Sequence, residues 1–569
     1  MIGGRIQHYG QIRSGRRRLL IDKLFAAFDL CTGSIHLYPI IGRVGRRGSS
    51  FVCWLSRGRL GSLRRKVLGS ATIEWTINAV LGALVAVRDF DRAQELVGAV
   101  SATHAHPEDA MWRLRQLQVR CSAGQFERAD ALIEQWGGLG EVPEIASAVT
   151  AGYLATSRRW NEVIDFFDNR IRKGMSPQGH LFFESVAGAA RHTGRYEEVL
   201  GLLARCRHSR PVESMRSAIK AEVEMKGLLQ TGKLPSNQAA SDPFHRDRLR
   251  VIRAIVCDQL TTTGGGTLQS AGHKEVEGTL LWCSDRNYLI GTSVSLWSCV
   301  RHNPGLDPTD GYRVVVAPDA LSLASDVFAQ IAESVQKEIR VIDAASLLPA
   351  HRTLRTDYGL FTPGFTLSEA AYYRLFAIQG LIQNATVGRT VYVDSDTCVG
   401  PGMEAAFDLE LHGLPMAARK ENPRGLRYES RRVIMQEAND RLGLPPGSYF
   451  NSGVLIINNA HLSAKSGISR AIDLVLSEPE RLMFHDQCAL NLSFAGLVEP
   501  LPETLNHFVR PQNPSTNRSP VVLHYLERPK PWDPLYPTVN CRRWFEELAS
   551  LATGVESEHI ARMLALQFR

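Results

Sequence analysis

The sequence offers little that would cross-link the chain or anchor it in a membrane. Its ten cysteines are scattered, with no Cys-x-x-Cys pair and no His/Cys cluster at zinc-finger spacing. The longest apolar run, residues 76–87, is shorter than the roughly 18–20 residues that a membrane-spanning helix needs, and no secretory signal is evident. These absences predict a cytoplasmic protein with reduced thiols, in at most peripheral contact with the inner face of the membrane.

Acidic residues are scarce at the start of the chain. Residues 1–70 contain 14 of the 66 Lys and Arg residues but 2 of the 58 Asp and Glu residues, so this segment has a net charge of +12 and the rest of the chain a net charge of −4. Such a segment could contact nucleic acid or anionic lipid. Because no nucleic-acid-binding motif accompanies it, we expect a flexible leader and no nucleic-acid partner.

An internal repeat of about 35 residues occupies residues 71–230. Aromatic residues recur at Phe90, Phe126, Trp160 and Tyr196, each after a short turn-like stretch. Apolar residues three, six and seven positions later share one helical face with each aromatic. The unit is therefore helix, turn, helix, which resembles the tetratricopeptide repeat. Such repeats would bind a protein partner or the acceptor, or would form a packing platform, and an irregular helical bundle is the other arrangement that fits.

The pattern changes to alternating strands and helices near residue 275. Residues 231–274 are predicted to form a linker with one helix, from about residue 246 to residue 260. The alternation predicts an α/β domain with a mostly parallel sheet over residues 275–540, and a C-terminal helix within residues 541–569. The strand candidates are residues 279–283, 313–317, 339–342, 390–393, 454–457 and 521–524, and the main helices cover 321–337 and 367–383.

Polar residues follow several of these strands, and ligands of such sheets bind at the carboxyl ends of the strands. Asp394 and Asp396 directly follow one strand candidate, and two carboxylates with substrate phosphate oxygens can form a Mg²⁺ or Mn²⁺ site. His524, which ends another strand, could supply a third ligand, and Lys530 could place an ammonium on a phosphate. An Asp-x-Asp triplet alone is a common turn, and a lone histidine is usually structural, so the combination carries the prediction.

Six segments, in order and spacing, resemble glycosyltransferase family 8. They are CSDRNY at 283–288, AYYRLF at 371–376, VYVDSDTCV at 391–399, YFNSGVLIIN at 449–458, DQCALN at 486–491 and HYLERPKPW at 524–532. The resemblance implies a GT-A domain, a nucleotide-diphosphate-binding α/β fold, that uses a UDP-sugar donor and Mn²⁺. It also implies transfer with retention of the anomeric configuration.

The resemblance implies a role for eleven residues. Gln487 would lie nearest the reacting carbon, and because an amide is a poor nucleophile, we expect the acceptor to attack from the face that UDP leaves. Asp486 would hold sugar hydroxyls. The remaining residues would bind the metal (Asp394, Asp396 and His524) or the donor (Asp285, Asn287, Tyr288, Arg374, Asn451 and Lys530).

Two departures from the family pattern bear on activity. The family usually has glycine three residues after the metal histidine, whereas this chain has Glu527, whose charge could weaken diphosphate binding. After the strand at 414–418 the family often has an acidic residue, whereas this chain continues with Arg419, Lys420 and Glu421.

The leading hypothesis is a metal-dependent hexosyltransferase that acts on a saccharide, lipid-linked or protein acceptor in polysaccharide or glycoconjugate synthesis. The alternative is an interaction protein whose helical repeats are functional and whose transferase domain is degenerate, as Glu527 would suggest. A third is a nucleotidyltransferase, which would need a glycine-rich, basic phosphate loop after the first strand, where this chain has residues 284–287, Ser-Asp-Arg-Asn.

Overall fold

The computed structural model describes the chain mainly from residue 110 onward. The predictions for residues 1–70, for Phe90, for residues 232–242 and 258–273 of the linker and for Glu527 lie outside the described residues. The structure describes residues 94, 110–122, 125–174, 180–206, 210–231, 243–257, 274–349, 354, 368–384, 388–421, 442–445, 447–479, 482, 484–509, 520–526, 530–533 and 541–566.

Paired helices form residues 110–231, which we call the helical region. The second helix of each described pair begins at Phe126, Trp160 or Tyr196, the aromatic residues that mark the repeat, so the helix-turn-helix unit is confirmed. The residues three and seven positions after each aromatic are buried. The relationship to tetratricopeptide repeats stays a prediction. The helices of this region are α1 (Ala110–Ser122), α2 (Phe126–Gln135), α3 (Ser147–Thr156), α4 (Trp160–Arg172), α5 (His180–Thr193), α6 (Tyr196–Arg205) and α7 (Arg210–Thr231). The next helix along the chain is α8 (Pro243–Val256).

A seven-stranded mixed sheet forms the centre of the second half of the chain. The described strands are β1 (Lys274–Val276), β2 (Gly278–Ser284), β3 (Leu306–Pro308), β4 (Tyr312–Val316), β5 (Ile339–Asp343), β6 (Arg389–Val393), β7 (Thr397–Val399), β8 (Met416–Lys420), β9 (Phe450–Asn458), β10 (Val498–Pro500), β11 (His507–Val509) and β12 (Val522–Tyr525). The sheet has the order β10-β8-β9-β6-β2-β4-β5. Only β9 runs antiparallel to its neighbours in this sheet, which confirms the predicted α/β class.

The central strand β2 is covered on both faces. Leu280 and Trp282 pack in one hydrophobic cluster, and Leu281 and Cys283 pack in a second. Alternate side chains of a strand point to opposite faces, so this continuous apolar run indicates a strand buried on both sides. The helices of this part are α9 (Leu289–His302), α10 (Leu321–Val335), α11 (Ala370–Gln383), α12 (Glu404–Asp408), α13 (Leu462–Ser477) and α14 (His485–Ser493).

A small three-stranded sheet, of order β11-β12-β7, lies beside the end of β6. We expected residues 521–524 to join the main sheet, and this expectation is wrong, since β12 pairs antiparallel with β7 and parallel with β11. His524 is paired with Thr397, the residue after Asp396. His524 therefore reaches the aspartates because β12 pairs with β7, the strand that follows the acidic turn. It does not reach them as the end of a parallel strand of the main sheet.

The end of α7 packs in the hydrophobic core of the sheet, whereas most buried residues of the helical region form a separate cluster. Met225 of α7, Leu249 of α8 and Trp544 lie in the same cluster as the β2 side chains. The predicted linker helix is therefore a packed part of the structure. The C-terminal segment, where the sequence predicted one helix, contains two, α15 (Arg542–Leu551) and α16 (Ser557–Ala565). Within the described ranges, none of the helices is both long and apolar enough to cross a membrane.

Candidate active site

Three candidate metal ligands meet beyond the end of β6. Asp394 and Asp396 follow that strand, and His524 lies in β12. One ligand atom from each residue lies within 4.8 Å of the others. Nε2 of His524 is 3.2 Å from Oδ1 of Asp396 and 3.6 Å from Oδ2 of Asp394. Two carboxylates and a neutral imidazole fit a divalent cation, and the nitrogen ligand suits Mn²⁺ better than Mg²⁺.

Two side-chain amides fix the orientation and tautomer of His524. Nδ1 of the ring lies 2.9 Å from Oδ1 of Asn506, and because an amide oxygen only accepts hydrogen bonds, Nδ1 carries the proton. The Asn506 amide is itself oriented, since its Nδ2 donates to Oδ1 of Asn451 at 3.1 Å. That oxygen also accepts from the backbone N–H of Gly453 at 2.9 Å. Nε2 is therefore the ring nitrogen that faces the aspartates, as a metal-ligating histidine requires.

The close approach of His524 to Asp394 requires glycine at position 453. A Cβ at Gly453 would lie 2.1 Å from Cε1 of His524 and 2.7 Å from Oδ2 of Asp394. Gly453 is also hydrogen-bonded to the chain beside it, because its oxygen accepts from the backbone N–H of Asp394 at 2.8 Å. Any side chain here would therefore displace candidate ligands.

Lys530 places a positive charge beside the candidate metal ligands. Its Nζ donates to Oδ2 of Asp396 and, at 2.8 Å, to the backbone oxygen of Tyr525. Burial opposes ionisation of Asp396, but Lys530 and His524 together more than offset burial, so the pKa of Asp396 lies below its ordinary value. Asp396 is therefore a carboxylate at neutral pH.

Arg374 connects the metal-ligand cluster to a second acid. Its guanidinium lies 3.1 Å from both Oδ1 of Asp394 and Oδ2 of Asp486, and it donates to the backbone oxygen of Ser452 at 2.6 Å. The guanidinium carbon lies 4.5 Å from the centre of the Tyr392 ring. Arg374, predicted to contact the donor, is 6% exposed and lies behind the two acids, where it orients them.

Asp486 has an unusual protonation equilibrium and an unusual backbone beside it. Burial raises the pKa of Asp486 to about 6, although Arg374 opposes the increase. The preceding residue, His485, has a φ of 47°, which is uncommon for a residue other than glycine. Nδ1 of its ring lies 2.8 Å from the hydroxyl of Tyr372. Strained backbone of this kind is concentrated at functional sites.

Gln487 is held in place by its carbonyl oxygen. Oε1 of Gln487 accepts from the backbone N–H and the hydroxyl of Ser452, at 3.1 and 3.3 Å, and from Nδ2 of Asn451 at 3.4 Å. Nδ2 of Asn451 also donates to Oε1 of Glu421 at 3.3 Å. Glu421, which directly follows β8, therefore brings an acidic side chain to this pocket, although we interpreted the run 419–421 as a departure from the family pattern. Arg419 points elsewhere and pairs with Glu503 at 2.6 Å.

The loop after β2 holds the three residues predicted to bind the base. Oδ1 of Asp285 accepts from the backbone N–H of Tyr288 at 2.8 Å, which closes the turn into α9. Tyr288 is half-buried, and its ring meets that of Trp532 edge-on at 5.4 Å. Asn287 is exposed. The loop therefore offers polar and aromatic groups at the carboxyl end of the central strand.

Three residues of this region were missed by sequence reasoning. Ser395 is buried and ties the acidic turn to the β2 loop, because its Oγ donates to the oxygen of Cys283 at 2.7 Å and accepts from Thr292 at 2.8 Å. Gly453 lies in a recognised segment, but only its neighbours in three dimensions reveal its role. Asn506 lies outside all six segments, so no signal in the sequence points to it.

Comparison with known proteins identifies the class. Residues 279–535, just under half of the chain, match the family model "Glycosyl transferase family 8", and we call this part of the chain the family domain. The helical region precedes the match.

Individual relatives are distant. The chain is 26% identical to General stress protein A of Bacillus subtilis over 185 residues, which are 29% of this chain and 60% of that protein. It is 25% identical to lipopolysaccharide 1,2-glucosyltransferase of Escherichia coli over 279 residues, 45% of this chain and 73% of that enzyme. A solved structure of the galactosyltransferase LgtC with donor and acceptor sugar analogues is 21% identical, covers 49% of this chain and 96% of its own, and has a TM-score of 0.36.

Proposed function

We propose that the family domain transfers a hexose from a UDP-sugar to a saccharide or glycoconjugate acceptor, with retention of the anomeric configuration. The observation that carries the proposal is the meeting of Asp394, Asp396, His524 and Lys530 at one edge of the sheet. Such a cluster favours a diphosphate bridged by a divalent cation. The family match supports a glycosyl transfer, and the lipopolysaccharide glucosyltransferase suggests a lipid-linked saccharide as the acceptor.

The donor would lie along the carboxyl edge of the sheet. The β2 loop, with Asp285, Asn287 and Tyr288, would hold the uracil base by stacking and edge hydrogen bonds. The diphosphate would lie between Lys530 and the candidate metal ligands. The hexose would then meet Asn451, Gln487 and Asp486, which lie farther along the same edge.

The residues of this pocket would have different roles in the transfer. A divalent cation, when bound, supplies positive charge beside the diphosphate as negative charge develops on it. Lys530, which here pairs with Asp396, would donate to a diphosphate oxygen and stabilise the same charge. The Gln487 oxygen is held by Ser452, and an amide is a weak nucleophile. The acceptor hydroxyl would therefore attack the sugar carbon from the face that UDP leaves, as the bond from this carbon to the diphosphate breaks, and the hydroxyl proton would pass to the departing diphosphate oxygen. Asp486, oriented by Arg374, accepts hydrogen bonds from sugar hydroxyls.

UDP release from a panel of UDP-hexoses tests the proposal. With Mn²⁺, we expect the full chain to release UDP from at least one donor, faster when a saccharide acceptor is added. Asp396→Asn should lose this activity while keeping its fold by circular dichroism. Asp408→Asn is the matched control, because Asp408 is an exposed carboxylate of the same domain that pairs with Lys274. No UDP release and no UDP binding with any donor would contradict the proposal and favour the interaction-protein hypothesis.

A further inference from the structure

The turn that carries Lys530 also carries a second charged residue at its other end. The backbone N–H of Asp533 donates to the backbone oxygen of Lys530 at 2.8 Å, which closes the turn. Lys530 points to Asp396 and to the backbone of Tyr525. The position of Lys530 therefore depends on what holds the rest of this turn.

Trp532 anchors the middle of the turn inside the family domain. It is 2% exposed, and its ring lies 5.4 Å from that of Tyr288 and 5.6 Å from that of Trp544. A Cβ at Gly291 would lie 2.5 Å from the indole, so the ring packs directly on the first turn of α9. This apolar contact fixes the depth of the turn but provides no partner for Asp533.

Asp533 is paired outside the family domain, with the helical region. Its Oδ1 lies 3.3 Å from Nη2 of Arg191 in α5. Arg191 has a fixed orientation, because its Nε and Nη2 bind the two oxygens of Glu222 in α7 at 2.7 and 2.9 Å. Glu222 is fully buried and also accepts from the hydroxyl of Tyr196 at 3.0 Å. The helical region thus presents a prepositioned cation to the turn.

A second buried cation lies in α8, the helix that follows the helical region. Arg248 of α8 is 3% exposed, with its guanidinium 5.2 Å from the centre of the Phe545 ring. Within the part of the chain that the structure describes, its three nitrogens have no hydrogen-bond partner. Burial lowers the pKa of Arg248, and the charges of Asp533 and Glu222 oppose that change.

We propose that this charge cluster makes the helical region a positioning element for donor binding. Arg191 holds Asp533, which closes the turn that places Lys530 at the diphosphate. Arg191 and Asp533 are positioning residues, since neither reaches the donor in this arrangement. The inference rests on the proposed function, because it concerns how Lys530 meets a UDP-sugar.

The test is the affinity of the full chain for UDP in the presence of Mn²⁺, measured by calorimetry. Asp533→Asn, which removes the charge and keeps the shape, should raise the Kd for UDP about fivefold or more. Arg191→Gln should have a similar effect, and Asp533→Glu should recover most of the affinity. Arg195→Gln is the control expected to leave the Kd unchanged, because Arg195 pairs with Glu198 and Asp165 inside the helical region.

A second measurement, in a protein that already carries Lys530→Gln, distinguishes a positioning role of Asp533 from a general loss of stability. In a Lys530→Gln protein, Asp533→Asn should add little further loss, because Asp533 acts through Lys530. An unchanged Kd in Asp533→Asn, or an equal loss in the Lys530→Gln background, would overturn the inference. A wild-type protein that binds no UDP with Mn²⁺ would instead overturn the proposed function, so the two failures are distinguishable.

Discussion

Nδ1 of His524 lies 2.9 Å from the side-chain oxygen of Asn506. The contact determines which ring nitrogen faces Asp394 and Asp396, and it is supported by the hydrogen bond from Asn506 to Asn451. The geometry of the candidate metal site is therefore set by two amides that lie behind the ligands. Such outer residues commonly tune metal affinity as strongly as some ligands do.

Replacing Asn506 with leucine should weaken Mn²⁺ binding by about 10–100-fold, because the imidazole loses the acceptor that fixes its tautomer. Titration of the protein with Mn²⁺, followed by electron paramagnetic resonance of the free ion, measures this change. Asn303→Leu is the control. Asn303 is also a buried amide of the same domain, but its side chain is hydrogen-bonded to the backbone of Cys299 and Gly402 and not to His524. Equal Mn²⁺ affinity in wild type and a folded Asn506→Leu protein would contradict the account.

Gly453→Ala should abolish Mn²⁺ binding, because the added Cβ would occupy the space of His524 and Asp394. We also expect a lower melting temperature, since the strand must shift to relieve the overlap. Gly380→Ala is the matched control, because position 380 lies within α11 with nothing within 4 Å of the added carbon. That change should leave Mn²⁺ affinity intact and stabilise the helix by up to about 1 kcal/mol. Normal Mn²⁺ binding by Gly453→Ala would be the contrary result.

Asp486 should make stability fall with rising pH. Because burial raises its folded pKa to about 6, above the ordinary value of 3.8, the folded state binds this proton more tightly than the unfolded state does. Its stabilising contribution is complete below pH ~4 and is lost as pH rises through ~6. The melting temperature of wild type minus that of Asp486→Asn should therefore decrease across this window, by an amount equivalent to roughly 3 kcal/mol. A melting-temperature difference that stays constant from pH 4 to 7 would show that the folded-state pKa of Asp486 is not raised.

Local patterns in the sequence predicted much of the fold. The strand at 390–393 and the acidic turn after it were predictable because a buried strand and its end are encoded by adjacent residues. The starts of α2, α4 and α6 were predictable because the repeated aromatic residues mark the same position on each helix.

Contacts between distant segments account for what the sequence could not predict. The pairing of β12 with β7 joins residues more than 120 positions apart, and the position of His524 follows from it. Asn506 has no local signature, since an asparagine in a short turn is ordinary. The pair of Arg191 and Asp533 spans 342 positions, so neither residue's neighbours in sequence indicate it.

Calorimetric titration of UDP into the full chain, with and without Mn²⁺, tests the central claim most directly. We expect UDP to bind wild type only when Mn²⁺ is present, and Asp396→Asn to lose that Mn²⁺-dependent binding while Asp408→Asn keeps it. UDP affinity that is the same with and without Mn²⁺, or unchanged in Asp396→Asn, would contradict the assignment of Asp394, Asp396 and His524 as the metal and diphosphate site.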